Sequence, residues 1–300
     1  MISGFVLLDK DSGVSSHRAV KLVSLLFDRI KAGHAGTLDP LATGMLPVLL
    51  GEATRFAASG LEADKSYEVT IDLSFQTDTL DSEGNVIARF DRFPDAVTVA
   101  LSIKGFIGDQ EQVPPKYSAI SVGGKRAYTL ARMEQDVTLP SRRITVHDIK
   151  PIEIRPPVVR LHVHCSKGTY IRSLARDLGQ NLSVGGCVTQ LRRTGIGSWP
   201  AEAMVSMHEL ERDGIKAVQP LVRWLEGLSS IELDVALARR FLLGQRLPLP
   251  EGTRIDQQEY RVSCGKLLLG TGHIRSGWHG MAILHPYKTL PSSRKLLAMG

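Results

Sequence analysis

The sequence predicts an α+β protein, with a mainly antiparallel sheet domain flanked by helices and a small β-rich C-terminal domain. Apolar and polar residues alternate in Tyr67–Phe75 and Val158–Cys165, a pattern typical of half-buried antiparallel strands. Between the strand candidates, apolar residues recur at helical spacing. From about residue 230 short strands alternate with glycine-rich turns, so we predict two domains, 1–229 and 230–300.

The N-terminal segment predicts a strand over Gly4–Asp9, followed by a helix that Ser15 or Ser16 can cap. Residues 31–47 carry three glycines and two prolines with no period of two or 3.6, which indicates a long loop. Long loops without regular structure are often functional in compact domains, and we expect this one to carry functional residues.

The next elements are a hairpin and a helix. Val86–Phe90 follows a Glu-Gly-Asn turn and is expected to pair with Tyr67–Phe75. Asp95 can cap a helix that runs to about Ile107.

A second hairpin is predicted for Ile144–Ile154 and Val158–Cys165. A helix is expected to begin at Thr169 and to be closed by Gly179, and residues 217–228 predict one more helix.

Composition excludes several classes of protein. The chain has 300 residues, 43% of them hydrophobic, and no stretch approaches the ~18 apolar residues that cross a bilayer. Charged residues follow Phe5–Leu8 directly, so we expect no signal peptide. Three cysteines stand far apart without a CxxC pair, which excludes a disulfide scaffold and a cysteine-rich zinc site. These features predict a protein of the reducing cytoplasm.

Positive charge is concentrated in two blocks. Residues 116–193 carry 14 Lys and Arg against 5 Asp and Glu, and residues 230–300 carry 10 against 5. The other segments, 1–115 and 194–229, are net negative. Cationic blocks favour a polyanionic partner such as nucleic acid, because phosphate neutralisation supplies affinity. Solvated basic surfaces are the alternative, and charge alone leaves both open.

One carboxylate stands out in the glycine- and proline-rich loop. Asp39 precedes Pro40, which disfavours the helical region for Asp39 and helps to project its side chain. The neighbouring glycines let the backbone approach a ligand closely. An Asp-Pro dipeptide often marks only a turn, but His34, Thr37 and Thr43 supply hydrogen-bonding groups nearby. The residues by themselves are equally compatible with a structural turn and with a functional site at Asp39.

This loop reads GHAGTLDPLATGMLPV, which resembles the catalytic-aspartate motif of the TruB-type tRNA pseudouridine-55 synthases. Further motifs of that family follow in order over residues 4–200: KSYE, TDTLDSEG, QVPPKYSA, GKRAY, KGTYIRSLARDLG and LRRT. The chain departs from the family pattern at Asp11-Ser12, at Ser15 where threonine is usual, and at Ser121 where lysine is usual. These departures concern contacts with RNA and not the reaction.

The resemblance implies an isomerase that converts uridine 55 of the tRNA T-stem-loop to pseudouridine. The N1–C1′ bond breaks, the base turns, and the base rejoins the sugar through C5. Because no atoms are gained and no net redox change occurs, no cofactor and no metal are expected. The resemblance assigns the chemistry to Asp39, as a nucleophile or as a base at the sugar. Arg172 is the matching cation that would keep this carboxylate ionised.

The resemblance also implies how the enzyme holds the flipped base. Tyr67 and Tyr170 would contact the base, and Leu191 would line its pocket. His34 would fill the gap that the base leaves in the RNA stack. Taken alone, Tyr67 and Leu191 are more typical of core packing, and His34 of an exposed loop. For Tyr170, core packing and contact with the base are equally compatible with the sequence.

A basic segment is expected to follow the RNA stem, with recognition by loop shape and splayed bases. Its cations are Lys116, Lys125, Arg126, Arg132, Arg142 and Arg143. Residues 231–300 resemble a PUA-type RNA-binding module, with a nonspecific β extension as the alternative. The implied partner is tRNA, with no membrane, no obligatory protein partner and a monomeric enzyme.

Three other functions share some of these features. A non-catalytic RNA-binding or RNA-folding protein could lose Asp39, which is present here. A guide-RNA-dependent relative would need partner subunits, and the long span between Phe90 and Pro140 favours a standalone enzyme instead. An Asp-dependent nucleoside hydrolase would share chemistry at C1′ but would not need the cations of 116–193.

Overall fold

The structure is a computed structural model. It describes residues 2–118, 121–122, 125–126, 139–256, 258–277 and 280–299. Sheets and helices are mixed along these ranges, and the predicted α+β class is confirmed. Within these ranges, no helix has the length and apolar character required to cross a membrane.

Strands outnumber helices in the described ranges. In chain order, the strands are β1 Gly4–Lys10, β2 Ala32–His34, β3 Thr43–Leu50, β4 Lys65–Asp72, β5 Phe75–Thr77, β6 Val86–Arg89, β7 Gly108–Gln112, β8 Ser121–Val122, β9 Lys125–Arg126, β10 Arg142–Arg155, β11 Val158–Cys165, β12 Cys187–Ile196, β13 Gln219–Pro220, β14 Ser230–Glu232, β15 Leu247–Pro248, β16 Glu259–Cys264, β17 Leu267–Ser276 and β18 Ala282–Thr289. The helices are α1 Ser16–Leu26, α2 Ala57–Glu62, α3 Ala96–Lys104, α4 Ile171–Asn181, α5 Met207–Asp213, α6 Leu221–Trp224, α7 Val235–Leu242 and α8 Pro291–Met299.

A large sheet of nine described strands organises the first part of the chain. Its order is β13-β1-β3-β12-β4-β11-β10-β7, with β2 also paired to β3. The described neighbours are antiparallel, except that β12 runs parallel to β3 at Arg192 and Arg193. The predicted mainly antiparallel sheet is therefore confirmed, with β12 inserted between β3 and β4.

One face of this sheet carries the main core. On β4, Val69 and Ile71 are buried while Glu68 beside them is exposed, as the alternation predicts. Helices α1, α3 and α4 cover this face and contribute Val23, Ile103 and other apolar side chains to the same cluster. The opposite face of β11 and β10 stays partly exposed to solvent.

Two helix starts follow the predicted capping residues. The Ser15 hydroxyl accepts from the Arg18 backbone N–H at 3.2 Å, and the Asp95 carboxylate accepts from the Thr98 N–H at 2.9 Å. Helix α3 ends at Lys104, three residues before the predicted end.

Two predicted elements of the first half need correction. Val86–Phe90 does not pair along the length of Tyr67–Phe75, because β4 already lies between β11 and β12; β6 pairs with the short β5 instead. The predicted 31–47 loop is shorter, because β2 and β3 pair at its two ends and leave residues 35–42 irregular.

Two predicted helices also differ. Helix α4 begins at Ile171 instead of Thr169, and Gly179 lies inside it and does not close it. A Cβ on Gly179 would lie 2.4 Å from the Gly185 carbonyl oxygen, so this glycine permits a close approach. The predicted helix over 217–228 reduces to Leu221–Trp224, because the residues before it form β13 against β1.

A second sheet begins at residue 230. Its order is β14-β16-β17-β18-β15, and α7 packs on it around a core that includes Phe241 and Val262. This sheet and the helix α8 that follows it contact the segment before α2. Arg55 donates to the Thr289 carbonyl of β18 at 2.9 Å, and the Glu52 carboxylate accepts from the Ser292 hydroxyl of α8 at 2.6 Å. The β-rich character of the C-terminal region is therefore confirmed.

Candidate active site

A cleft of about 890 Å³ opens beside the irregular residues 35–42. The structure brings all six predicted site residues to this cleft. They are His34, Asp39, Tyr67, Tyr170, Arg172 and Leu191. They come from β2, the loop after it, β4, the start of α4 and β12.

The segment that carries Asp39 is held by backbone and hydroxyl contacts. Ser16 at the start of α1 accepts from the Leu38 N–H at 2.8 Å and donates to the Leu38 carbonyl at 2.9 Å. The Ala42 N–H donates to the Asp39 carbonyl at 3.1 Å, which closes a turn, and the Gly13 N–H donates to the Pro40 carbonyl at 2.8 Å. The Asp39 backbone is thereby fixed from both sides.

Two buried cations bind backbone carbonyls of the segment that carries Asp39. Arg193 of β12 is 1% exposed, and its guanidinium donates to the carbonyls of Met45 at 2.7 Å, Gly36 at 3.0 Å and Thr37 at 3.3 Å. The Lys10 ammonium donates to the Pro40 carbonyl at 3.3 Å and to two carbonyls after β1. Burial lowers the pKa of Lys10 to about 8, an effect that nearby carboxylates partly oppose.

Arg172 of α4 contacts both oxygens of the Asp39 carboxylate. Its Nε lies 2.8 Å from Oδ2, and its Nη2 donates to Oδ1 at 3.0 Å. On its other side Nη1 lies 3.3 Å from Asp81 Oδ2 and donates to the Thr79 carbonyl at 2.9 Å. The side chains of Arg172 and Asp81 are each 5% exposed, whereas that of Asp39 is 31% exposed. Asp81 and the Thr79 carbonyl thus fix the guanidinium on the side away from Asp39, and the Asp39 carboxylate faces the cleft.

Two tyrosines line the same cleft as this carboxylate. Tyr67 is 8% exposed, and the charge of the nearby Arg193 guanidinium partly opposes the effect of burial on the pKa of its phenol. Burial raises the pKa of the Tyr67 phenol, so the hydroxyl is neutral. Tyr170 precedes α4, and its backbone exchanges two hydrogen bonds with the Gln112 amide, at 2.8 and 3.1 Å. The Arg142 guanidinium lies 4.4 Å from the centre of the Tyr170 ring, a cation–π contact.

The remaining two predicted residues, Leu191 and His34, also line the cleft. Leu191 is 8% exposed and belongs to both the main core and the cleft lining. His34 ends β2, and its buried Nδ1 has no hydrogen-bond partner among the residues that the structure describes. Burial, together with the nearby Arg193 and His17, lowers the pKa of the His34 imidazole. The neutral ring is therefore favoured near pH 7.

Four charged residues of this site are additional to those predicted from the sequence. Three of them hold groups of the site: Lys10 and Arg193 bind carbonyls near Asp39, and Asp81 contacts Arg172. The fourth is Lys65, which lies beside Tyr67 and whose pKa is lowered to about 8 by burial. All but Lys10 lie in the family motifs, and the alternation of β4 could have indicated that Lys65 points inward with Tyr67. Which of the two adjacent arginines of β12 turns inward depends on its pairing with β4.

The basic segment is described in part. Arg142 lines the cleft, Lys116 is exposed, and Arg143 is exposed and paired with Asp109 at 2.6 Å. Arg132 and the side chains of Lys125 and Arg126 lie outside the described residues.

Two family models match the chain in tandem. Residues 24–171 match the N-terminal domain of the TruB family pseudouridylate synthases. Residues 172–225 match the C-terminal domain of tRNA pseudouridylate synthase B.

Individual relatives extend the match over most of the chain. The tRNA pseudouridine synthase B of Idiomarina loihiensis is 42% identical over 283 residues, which cover 92% of this chain and 91% of that protein. The enzyme of the same name from Burkholderia mallei is 43% identical over 256 residues, 83% of this chain and 84% of that protein. The crystal structure of a Cbf5-Nop10-Gar1 complex matches 98% of this chain and 86% of the solved chain, with a TM-score of 0.74 and 27% identity. The sequence motifs, the identity to these relatives and the fold agree, and the chain belongs to the TruB family of pseudouridylate synthases.

Proposed function

We propose that this chain isomerises uridine to pseudouridine in tRNA, and that its target is position 55 of the T-stem-loop. The observation that carries the proposal is the Asp39 carboxylate, which faces a cleft of about 890 Å³ while Arg172 contacts both of its oxygens at 2.8 and 3.0 Å. The relatives named tRNA pseudouridine synthase B support tRNA as the substrate.

The chemistry needs one ionised carboxylate near the sugar. Asp39 either attacks C1′ and displaces uracil or takes a proton from the sugar, and in both routes the N1–C1′ bond breaks. The uracil turns and C5 bonds to C1′, while the Asp39–C1′ bond breaks on the first route and the sugar regains its proton on the second. The proton on C5 is then lost and N1 gains a proton, so the product is an isomer of uridine. The Arg172 guanidinium holds the Asp39 carboxylate in place, because its own position is set by Asp81 and the Thr79 carbonyl.

The base must leave the RNA stack to reach Asp39, at a cost of a few kcal/mol. Tyr67 and Tyr170 both line the cleft with aromatic side chains, and base–aromatic stacking contributes roughly 1–3 kcal/mol per base. Leu191 supplies an apolar wall. The neutral, half-buried His34 lines the cleft, and its ring is assigned to occupy the space that the base vacates in the RNA stack.

The C-terminal region completes the proposed enzyme. Residues 1–229 form the catalytic domain, and residues 230–300 a PUA-like domain whose net positive charge adds phosphate contacts. The enzyme acts in the cytoplasm as a monomer, without cofactor, metal or obligatory protein partner.

A guide-RNA-dependent relative is the second candidate. Solved structures with this fold include a Cbf5-Nop10-Gar1 complex and an H/ACA RNP bound to a substrate RNA. Their identity to this chain is 27% and 25%, against 42% and 43% for the tRNA pseudouridine synthase B relatives. The higher identity over most of the chain favours the standalone enzyme.

One experiment tests reaction, substrate and independence together. Purified full-length protein is incubated, without guide RNA, with an unmodified tRNA transcript carrying tritium at C5 of uridine. We expect release of one tritium per tRNA, and no release from a transcript with cytidine at position 55. Release from both transcripts would contradict the assigned position. Binding without release would favour the non-catalytic RNA-binding protein, and release only after guide RNA and partner proteins are added would favour the guided relative.

A further inference from the structure

A group of metal-ligating side chains lies on the large sheet, away from the Asp39 cleft. In the described part of the chain, donor atoms of Asp64, His147 and His164 all lie within 4.8 Å of one another. The three residues are absent from the described lining of the cleft. The proposed isomerisation does not use them and requires no metal.

The three side chains come from adjacent strands. Asp64 directly precedes β4, His164 lies on β11 and His147 on β10, and β4, β11 and β10 are consecutive in the sheet. Along β11, Val163 and Cys165 are buried in the main core, so His164 between them points to the opposite, partly exposed face. The group therefore sits on the outer face of the sheet, where solvent ions can reach it.

A bulge in β10 brings His147 to this group. Val146 pairs with Cys165 and Asp148 pairs with His164, so His147 is the extra residue between two paired positions. Bulges of this kind redirect a side chain. The His147 ring centre lies 4.9 Å from that of His164, and its Nε2 lies 3.1 Å from Asp64 Oδ2.

The separations suit a small tetrahedral cation. Bonds of about 2.0–2.1 Å from zinc to nitrogen and oxygen place neighbouring ligand atoms about 3.3 Å apart. The 3.1 Å contact between His147 and Asp64 is already close to this value. The wider separations can close by side-chain rotation, because the side chains of His147 and Asp64 are 36% and 46% exposed. Three protein ligands leave one position for water.

A neighbouring hydroxyl orients one ligand. Ser66 lies opposite His164 in the β4–β11 pair, and its Oγ is 3.0 Å from His164 Nδ1. In the tautomer with the proton on Nδ1, this nitrogen donates to Ser66 and leaves the Nε2 lone pair for a cation, as outer partners of metal-bound histidines commonly arrange. The Asp64 backbone is also fixed, because its carbonyl accepts from the Gly197 N–H at 2.8 Å.

We propose that Asp64, His147 and His164 bind a first-row transition-metal cation of the zinc class. Two imidazoles and one carboxylate match the ligand preferences of Zn²⁺ and its neighbours, whereas Mg²⁺ and Ca²⁺ prefer all-oxygen sites. The bound ion joins three strands at the end of the sheet from which β4 begins. Since the folded chain binds it and the unfolded chain lacks the assembled site, the ion stabilises the fold by mass action.

The test is calorimetric titration of Zn²⁺ into the full chain after dialysis against a chelator. We expect one ion per chain, and no saturable binding of Mg²⁺ under the same conditions. His147→Ala and Asp64→Asn should each weaken Zn²⁺ binding by more than about tenfold, and Ser66→Ala by on the order of tenfold. His162→Ala is the matched control, because His162 lies two residues before His164 on the same face of β11 and outside the group. This variant should bind as the wild type does.

Co²⁺ gives a second readout that does not depend on stability. Wild type and His162→Ala should develop visible d–d absorption with one equivalent of Co²⁺, and His147→Ala should not, while circular dichroism shows all three folded. The proposal is wrong if wild type shows no saturable Zn²⁺ binding. It is also wrong if Asp64→Asn and His147→Ala bind as tightly as wild type, or if His162→Ala loses binding to the same extent as they do.

Discussion

The large sheet and the C-terminal sheet place positive charge differently. In the first part of the chain, four cationic side chains are less than a tenth exposed: Lys10, Lys65, Arg172 and Arg193. In the described part of 230–299, the buried polar side chains are Thr271 and Ser293, and every Lys and Arg there is exposed or half-exposed.

Burial decides what a cation can do. A buried charge must be compensated by carbonyl or carboxylate oxygens, so it fixes the backbone that supplies them. Arg193 and Lys10 act in this way on the segment around Asp39. An exposed cation keeps its hydration and remains available to phosphate, but its side chain is poorly ordered. The same residue types therefore hold the site in one region and are available to a polyanion in the other.

The largest expected effect is at the carboxylate that the buried cations hold. Asp39→Asn keeps the size of the side chain but removes its charge and its reactive oxygen, so tritium release should fall to background. The dissociation constant for tRNA should stay within a few-fold of wild type, because phosphate contacts supply most affinity.

Asp11→Asn is the control for Asp39→Asn, since Asp11 is an exposed carboxylate near the same loop and should be dispensable. Residual turnover of Asp39→Asn above about one hundredth of wild type would contradict a direct chemical role.

Substitutions of the two adjacent arginines of β12 compare the effect of a buried charge with that of a more exposed one. Arg193→Met leaves three carbonyls of the Asp39 segment without a donor and should lower the free energy of unfolding by about 2–4 kcal/mol. Arg192→Met removes a pair with Asp9 whose arginine side chain is 39% exposed, and should cost at most about 1 kcal/mol. Urea unfolding measures both, and equal losses would show that burial does not set the difference.

The buried lysines predict a pH dependence. The pKa of Lys65 is about 8 in the folded chain, and its ordinary value of 10.5 applies to the unfolded chain. Between about pH 8 and pH 10.5 the unfolded chain therefore binds more protons than the folded chain, so the contribution of Lys65 to the free energy of unfolding rises with pH. The stability of wild type relative to Lys65→Met should therefore increase by on the order of 2 kcal/mol from pH 7 to pH 9.5. Urea unfolding at the two pH values checks this, with the exposed Lys104→Met as control. An unchanged difference for Lys65→Met would contradict the lowered pKa.

A smaller effect is expected at the exposed cations of the second sheet. Lys266→Gln and Arg275→Gln should each weaken tRNA binding and reduce the slope of log K against log salt by up to about 0.7–0.9 per lost phosphate contact. Turnover at saturating tRNA should not change. Lys21→Gln on α1 removes an exposed cation of the first region and serves as the reference. If both variants give the same slope of log K against log salt as wild type, these two cations do not contact RNA phosphates.

The smallest expected effect is chemical. Burial raises the pKa of Cys165 to about 12 and that of Cys187 to about 11, whereas Cys264 of the second sheet is half-exposed. Iodoacetamide should therefore modify Cys264 first at pH 8, because the thiolate is the reactive form. Mass spectrometry over time follows each site, and urea should make all three reactive. Early labelling of Cys165 or Cys187 would show that the first region opens more readily than its burial indicates.

Local patterns were sufficient for much of the fold. The alternation in β4 and β11, and the capping residues Ser15 and Asp95, predicted strands and helix starts that the structure contains. The motifs of the family predicted six residues that the structure gathers in one cleft. These features depend on a few neighbouring residues, so a single sequence can show them.

Long-range pairing could not be predicted in this way. The pairing of β4 with β11 and β12 joins residues about a hundred positions apart, and no local pattern distinguishes it from a hairpin with Val86–Phe90. The helix predicted over 217–228 failed for a similar reason, because the edge of β1 recruits Gln219 and Pro220. The inward turn of Arg193 likewise depends on a register shift in the β12–β4 pair.

The position of β12 has a consequence for synthesis on the ribosome. Strand β3 ends at residue 50, yet its neighbour β12 ends at residue 196. At typical translation rates, roughly 10–30 s pass before the later strand emerges. Until β11 is made, β4 lacks both of its sheet neighbours. Until β12 is made, one edge of β4 and the Thr43–Gly44 end of β3 stay unpaired, and such edges invite pairing with other chains. Nascent chains that stall before residue 187 should therefore be the form of this protein that most needs chaperones.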